Sequence, residues 1–163
     1  MKFFACLLST SLLLFVGQQL HAEQAIVLDQ PDAPISISRY VNRYKTPARV
    51  GDGTVMHSVD VKNVSNQNID AFGVGFYIFD SFNRDMGRPF IGYSMTPITS
   101  NSDGSARFEQ RPRSAFLFER NGQGISYIAI VRLADGSIWK ADNDNIARQI
   151  EDFELLITGD AVD

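Results

Sequence analysis

The sequence predicts an all-β protein, a two-sheet antiparallel β-sandwich of about seven strands with a short C-terminal helix. Three observations predict this fold class. Apolar and polar residues alternate over many short segments, as they do in strands with one buried face. Turns rich in Gly, Asn and Asp recur at roughly ten-residue intervals. Helical spacing replaces this period only after Trp139. A closed barrel is the alternative, and short strands followed by a single late helix favour the sandwich.

Residues 1–22 have the composition of a cleavable signal peptide. Lys2 gives a basic start, the run from Phe3 to Gly17 is apolar, and polar residues follow before Ala22. The apolar run has about fifteen residues, fewer than the roughly twenty that a membrane-spanning helix needs. We therefore predict cleavage after Ala22 and a secreted or periplasmic protein with no membrane span. An uncleaved anchor is the alternative.

The exported chain is expected to be mildly acidic and free of cysteine. Loss of Lys2 with the signal leaves 14 basic and 19 acidic residues, which changes the net charge from -4 to -5. Nucleic-acid binding depends largely on Lys and Arg contacts to phosphate, so this charge predicts no nucleic-acid partner. Cys6 is the single cysteine and leaves with the signal. The roughly 140 remaining residues are enough for one domain to fold without a disulfide.

Residues 23–34 are predicted to form a polar leader that precedes the first ordered strand. Pro31 and Pro34 lie within it, and proline lacks the N–H group that a strand contributes to a sheet. The folded domain is therefore expected to span residues 35–163.

Seven segments after the leader have the pattern of strands. Val55 to Val61 alternates apolar and polar residues, so one face points inward. Ile69 to Phe79 is apolar at nearly every position, which is typical of a central strand covered on both faces. Asp135-Gly136 gives the strongest hairpin signal. The predicted strands are Ile35–Val41, Val55–Val61, Ile69–Phe79, Pro89–Met95, Ala106–Arg111, Gly124–Leu133 and Ile138–Trp139.

The predicted helix covers residues 143–153. Asp142 or Asp144 is expected to cap it, because a carboxylate accepts the free N–H groups of a first turn. Three apolar residues at helical spacing predict that one face packs on the sandwich: Ile146, Ile150 and Phe153. Leu155 to Ile157 would either extend the helix or add an edge strand.

Two consecutive strands carry a recognisable pattern. One ends in Val61-Lys62-Asn63-Val64-Ser65-Asn66, and the next ends in Phe76-Tyr77-Ile78-Phe79-Asp80. This arrangement resembles the bacterial immunoglobulin-like domains named for a Phe-x-Leu-Tyr-Asp (FxLYD) motif. Ile78 and Phe79 occupy the Leu and Tyr positions here, and Asp80 matches and opens a turn. The resemblance implies an immunoglobulin-like antiparallel β-sandwich and brings no catalytic residues with it.

The exported sequence lacks the usual catalytic arrangements. His57 is its single histidine, and at an inward strand position a hydrogen-bonded core residue is the favoured interpretation. Tetrahedral zinc sites need several nitrogen and sulfur ligands, and no Gly-x-Ser-x-Gly elbow accompanies His57. Residues 142–145 lack the central glycine and distant Glu of an EF-hand loop, so helix capping is favoured over calcium binding. We predict a protein that is not an enzyme and has no cofactor or metal.

A partner surface is the remaining candidate site. Basic residues concentrate in one part of the sequence: Arg107, Arg111, Arg113 and Arg120. Such a surface could receive an acidic protein or a carboxylated glycan, and a solvated strand face balanced by Glu109 and Glu119 is the alternative. The single tryptophan, Trp139, is expected to pack in the core or between sheets rather than form a ligand platform. The candidate partner surface consists of Arg107, Arg111, Arg113 and Trp139.

Three functional hypotheses follow. The first is a non-enzymatic binding or accessory module of the bacterial periplasm or cell envelope, or a secreted effector, with another envelope protein or a glycan as partner. The second is a carboxylate-based hydrolase of envelope glycans, which requires two carboxyl groups facing each other roughly 5 to 10 Å apart. The third is a structural subunit that polymerises by strand exchange, with residues 23–34 as the donor.

Overall fold

The computed structural model describes residues 25–158 apart from Arg49, Asp52 and Asn121, and the predicted signal peptide lies outside these residues. The described part contains eight β-strands, one α-helix and a 3₁₀ helix over Ala115–Phe118. The elements are β1 (Ala25–Val27), β2 (Ile35–Lys45), β3 (Thr54–Asn63), β4 (Ile69–Phe79), β5 (Phe90–Ser94), β6 (Asp103–Gln110), β7 (Gln123–Leu133), β8 (Ile138–Lys140) and α1 (Asn143–Thr158).

The strands form two sheets. The five-stranded sheet has the order β1-β7-β4-β5, with β8 also paired to β7, and the three-stranded sheet has the order β2-β3-β6. Every pair is antiparallel except β1 with β7. The predicted β-sandwich with a C-terminal helix is confirmed, with eight strands in place of about seven. The predicted hairpin at Asp135-Gly136 forms between β7 and β8, and β4 also pairs with β5, the next strand in the chain.

The main apolar core lies between the two sheets. In β3 the alternation is as predicted, because Val55, His57, Val59 and Val61 are buried. β4 lies between β5 and β7 and is buried over most of its length, which confirms a central strand. The buried residues of this core are Ile35, Tyr40, Val59, Val61, Ile69, Phe72, Val74, Phe76, Ile98, Ile128 and Val131.

The predicted leader is wrong in one respect, because it contains a strand of its own. Ala25–Val27 forms β1, which pairs in parallel with β7. The Gln30 side chain continues this pairing: its Nε2 donates to the carbonyl of Ile128 at 2.9 Å, and its Oε1 accepts from the Ile128 N–H at 2.6 Å. The prolines follow β1 rather than interrupt it, so they remove no hydrogen bond from the sheet. Residues 25–30 therefore belong to the folded domain.

Helix α1 adds a third layer and is longer than predicted, since Leu155 to Ile157 extend it. Asp142 caps it, with Oδ1 accepting from the N–H groups of Asp144 at 3.0 Å and Asn145 at 3.3 Å. The apolar side of α1 packs on the outer face of the five-stranded sheet, in a cluster of Leu28, Phe79, Ile125, Tyr127, Ile146 and Phe153. The outer face of the three-stranded sheet has no such covering helix among the described elements. No described helix has the length and apolar character needed to cross a bilayer.

Candidate functional site: a basic groove on the three-stranded sheet

The charged residues of β2 point outward because the strand changes its alternation partway along. Ile35 is buried, and the pairing of β2 with β3 shifts register between Ile37 and Arg39. A bulge of this kind places an extra residue in one strand and reverses which positions face the core. Beyond it the even-numbered residues Tyr40 and Asn42 are buried. The odd-numbered residues therefore face outward: Arg39, Val41, Arg43 and Lys45.

β3 and β6 complete the same outer face in a defined register. Val41 lies opposite Ser58, which lies opposite Arg107 on the far strand. On one side of this row, Arg39, Asp60 and Ser105 are aligned. On the other side the aligned residues are Arg43, Met56 and Glu109.

These residues line an open groove of about 520 Å³, which we call the basic groove. Its floor consists of Val41, Met56 and Ser58, which are half-buried. Four basic side chains and one carboxylate line it, a net charge of +3: Arg39, Arg43, Lys45, Arg107 and Asp60. The whole chain has a net charge of -4, so this face is opposite in sign to the protein that carries it.

Few of the positive charges are neutralised within the described part of the chain. Arg39 pairs with Asp60 at 3.6 Å, and both side chains are at least half exposed. Exposed ion pairs of this kind contribute at most about 1 kcal/mol and leave most of the field in place. Arg43, Lys45 and Arg107 form no ion pair with any described residue. The groove therefore offers an anion three cationic groups that no described residue neutralises.

The cations are spaced to contact several anionic groups at once. Neighbouring strands lie about 4.8 Å apart and residues rise about 3.4 Å along a strand, which places the Cα atoms of Arg43 and Arg107 roughly 12 Å apart. Arg39 and Arg43, four residues apart on β2, are separated by roughly 13 Å. Ser58 supplies a hydroxyl on the middle strand, opposite Val41 on one side and Arg107 on the other. Guanidinium groups bind carboxylates and phosphates in a bidentate manner, so this face suits a ligand with separate negative groups.

The structure does not bring the predicted partner residues together as one surface. Arg107 lies in the basic groove. Arg111 follows β6 on the same side, pairs with Glu109 at 3.2 Å and lines a neighbouring shallow groove. Arg113 is exposed in the loop before the 3₁₀ helix. Trp139 lies in the other sheet, packs against the main core as expected, and donates its indole N–H to Asp32 at 3.2 Å.

Three residues of the groove were missed by sequence reasoning: Arg39, Arg43 and Lys45. The signal was present, since these residues alternate with the larger side chains of Tyr40 and Tyr44 along one segment. It was hidden because Ile35 and Ile37 set the opposite alternation before the bulge. Their closeness to Arg107 also depends on β3 lying between β2 and β6, which no local pattern reveals.

His57 is confirmed as a hydrogen-bonded core residue, on the opposite side of β3 from the groove. Its Nε2 lies 3.0 Å from Oε1 of Gln110, an acceptor, so Nε2 carries the proton. The Tyr40 hydroxyl then donates to Nδ1 at 2.8 Å. The imidazole also stacks on Phe76, with ring centroids 4.2 Å apart. Burial lowers the pKa of His57 to about 4, against a smaller opposing effect of the Gln110 hydrogen bond. A neutral, enclosed imidazole stabilises the core and reaches no ligand.

Asp80 opens a turn, as the motif interpretation predicts. Its Oδ1 accepts from the N–H groups of Phe82 at 2.8 Å and Arg84 at 3.1 Å, and its Oδ2 accepts from the Arg84 guanidinium at 2.7 Å. Burial acts to raise the pKa of Asp80, and these hydrogen bonds with the Arg84 charge outweigh it and hold the pKa below its usual value. The carboxylate therefore stabilises the turn.

Two carboxylates interact with the Tyr77 hydroxyl. The Tyr77 hydroxyl lies 3.4 Å from Oε1 of Glu154, and it also interacts with Asp85. Burial raises the pKa of Tyr77, and the two acids raise it further. This group lies at the end of α1, and none of its residues lines the basic groove. In the groove itself, Asp60 is the one carboxylate among the lining residues.

Comparison with known proteins gives structural neighbours but no family. No family model and no curated protein matches this sequence. One similar solved structure is the X-ray structure of Northeast Structural Genomics Consortium target SoR45, with 13% identity and a TM-score of 0.45, covering 68% of this chain and 81% of that one. Another is the crystal structure of Campylobacter jejuni cj0090, with 11% identity and a TM-score of 0.34, covering 65% of this chain and 98% of that one. The FxLYD resemblance stays a prediction.

Proposed function

We propose that this protein is an exported, non-enzymatic binding module of the bacterial periplasm or cell envelope, and that it binds an acidic protein partner through the basic groove. The observation that carries this proposal is the groove's net charge of +3 on a chain whose net charge is -4. A positive surface on an acidic protein attracts a negative partner selectively, since the rest of the molecule repels it.

The composition of the groove favours a protein over a glycan. Its floor includes the apolar side chains of Val41 and Met56 beside the Ser58 hydroxyl. Methionine adapts to varied apolar side chains of a partner. Sugar rings are commonly held by exposed aromatic faces, and Tyr44, half-buried at one end, is the one aromatic residue among those that line the groove.

Binding to a fluorescent deca-glutamate peptide tests the proposal. We expect anisotropy to rise with protein concentration at about 20 mM salt and the affinity to fall steeply toward about 300 mM, because screening removes the attraction. Arg43→Glu combined with Arg107→Glu should weaken binding by more than about tenfold. Arg88→Glu combined with Arg132→Glu is the matched control, because both residues are exposed outside the groove and the net charge changes equally.

Two results would overturn the proposal. Equal weakening by the groove variant and the matched control would mean that only net charge matters. Tighter, groove-dependent binding of polygalacturonate than of the peptide would identify a carboxylated glycan as the partner class.

The carboxylate-based hydrolase remains a second candidate because of Asp85 and Glu154 beside Tyr77. Release of reducing ends from purified cell-wall glycan, abolished by Asp85→Asn or by Glu154→Gln, would establish it. A rate equal to that of the buffer alone, for a protein shown to be folded by its circular dichroism, would remove it.

A further inference from the structure

The solvent-facing side of helix α1 is acidic. Asp144, Glu151 and Asp152 are exposed, and the last two follow Asp144 by seven and eight residues, which places all three on one side of a helix. The Asp142 cap is also exposed. Arg148 is the one basic residue on this side, and its guanidinium donates to the carbonyl of Asp144 at 3.4 Å. Four acids and one base give this surface, the acidic helix face, a net charge of -3.

The acidic helix face and the basic groove lie on opposite sides of the molecule. α1 packs on the outer face of the five-stranded sheet, and the groove lies on the outer face of the three-stranded sheet. The main core separates the two sheets. The protein therefore has charges of -3 and +3 at the two ends of its layer stack, and two copies stacked in the same orientation present these faces to each other.

The spacing of the charges matches as well as their sign. At about 1.5 Å rise per residue, Asp144 is separated from Glu151 by roughly 10.5 Å and from Asp152 by roughly 12 Å along the helix. The arginines of the groove are roughly 12 to 13 Å apart by strand geometry. A helix laid across the groove can thus place one carboxylate near each of two arginines.

Apolar side chains accompany the charges on both surfaces. Leu156 lies one helical turn beyond Asp152 and is 72% exposed. The groove presents Val41 and Met56 between its arginines. Burying these groups on contact removes apolar surface from water, and this adds to the charge attraction.

We propose that the acidic helix face of one copy docks into the basic groove of a second copy, so that the protein associates head to tail. This inference rests on the proposed function, since it names a second copy of the chain as the acidic protein that the groove binds. The contact joins two different surfaces, so each dimer still has one free groove and one free helix face. Association is then open-ended, weak, and sensitive to salt.

Sedimentation velocity of the purified protein tests this. At about 20 mM salt we expect the weight-average sedimentation coefficient to rise between about 10 µM and about 1 mM protein, and at about 500 mM salt to remain that of a monomer. A monomer at every concentration in low salt would overturn the inference. Peptide binding in the same buffer would show that the groove still functions, so the two proposals fail separately.

Charge reversal identifies the two surfaces. Arg43→Glu with Arg107→Glu should remain monomeric, and so should Glu151→Lys with Asp152→Lys. A mixture of these two variants should associate again, because the unchanged helix face of the groove variant can dock into the unchanged groove of the helix variant. Arg88→Glu with Arg132→Glu should associate like the natural protein. Association of the helix variant alone, or a mixture that stays monomeric while the natural protein associates, would contradict this docking mode.

Discussion

The two outer faces of the sandwich differ in what their outward positions carry. On the five-stranded sheet these positions hold Tyr77, Phe79, Ile125 and Tyr127, and α1 covers them. On the three-stranded sheet they hold mainly charged and hydroxyl side chains, with Val41 and Met56 among them, and the face stays open to solvent. Both sheets are antiparallel in most of their pairings and both bury their inner faces. The outward residues alone therefore decide which face stabilises the fold and which is available for binding.

Removing the contact between α1 and its sheet should have the largest effect on stability. Phe153 is 9% exposed and lies against Phe79, with ring centroids 5.5 Å apart. Phe153→Ala deletes a buried ring and leaves a cavity, so we expect the free energy of unfolding to fall by about 3 to 5 kcal/mol. Urea denaturation followed by circular dichroism measures this. Leu156→Ala, an exposed truncation on the same helix, should change it by less than about 0.5 kcal/mol. Equal losses would mean that α1 is not held by its apolar side.

The inner face of the open sheet predicts a specific pH dependence. The pKa of His57 is about 4 in the folded protein against 6.5 when unfolded, so folding favours the neutral imidazole. The contribution of His57 to the free energy of unfolding is complete above pH 6.5 and is lost as the pH falls from 6.5 toward 4. The shift corresponds to about 3 kcal/mol. The free energy of unfolding, measured at intervals across this range, should decrease steadily as the pH falls.

The control for this experiment is His57→Gln, which cannot titrate. Its stability should be lower at neutral pH because the Tyr40 and Gln110 hydrogen bonds are disturbed. Between pH 6.5 and 4 it should lose much less than the natural protein. Asp80 does not add to the pH dependence in this range. Because its pKa is lowered by folding, its contribution to stability is lost only at more acidic pH. A slope that persists in the variant would assign the pH dependence to other groups.

The inner faces of the sandwich could be predicted from sequence, whereas the groove could not. The alternation through Val55, His57, Val59 and Val61 reports burial directly, because each residue touches the core or solvent according to its parity. The groove combines residues 39–45 with residue 107 across β3. Strand order depends on the packing of the whole domain rather than on any segment. Local periodicity therefore indicated which side of β6 is solvated, and not which strands lie beside it.

The N-terminal leader, residues 23–34, is a second region whose structure could not be predicted from local sequence patterns. Its short apolar stretch, Ala25–Val27, gives a weak strand signal next to two prolines. The stabilising contacts come from β7, about a hundred residues later, through backbone pairing and through the Gln30 amide. The segment is ordered by this distant partner. A sequence pattern confined to residues 23–34 contains no information about it.

Removal of the Gln30 amide should lower the free energy of unfolding by less than Phe153→Ala does and by more than a change on the open face does. Gln30→Ala leaves the N–H and carbonyl groups of Ile128 without their partner beside β1, and an unsatisfied buried group costs about 1 to 3 kcal/mol. We expect a loss of about 1 to 2 kcal/mol in urea denaturation and faster hydrogen exchange at the Ile128 amide. Asn66→Ala removes an exposed amide and should change neither quantity. Unchanged exchange at Ile128 would show that β1 alone protects this edge.

An exposed edge would also favour the strand exchange of the third hypothesis, and a Gln30→Ala protein that remains a monomer at high concentration would count against it.

The smallest effect on stability is expected at the open face, and it separates binding from folding. Arg43→Glu with Arg107→Glu replaces two exposed side chains that form no ion pair with described residues. We expect the free energy of unfolding to change by less than about 0.5 kcal/mol, with any change toward an increase, because repulsion among the groove cations is relieved. The same protein should lose deca-glutamate binding. A stability loss above about 1 kcal/mol would mean that these arginines stabilise the sheet. The open face would then contribute to folding as the helix-covered face does, and the distinction drawn between the two faces would be wrong.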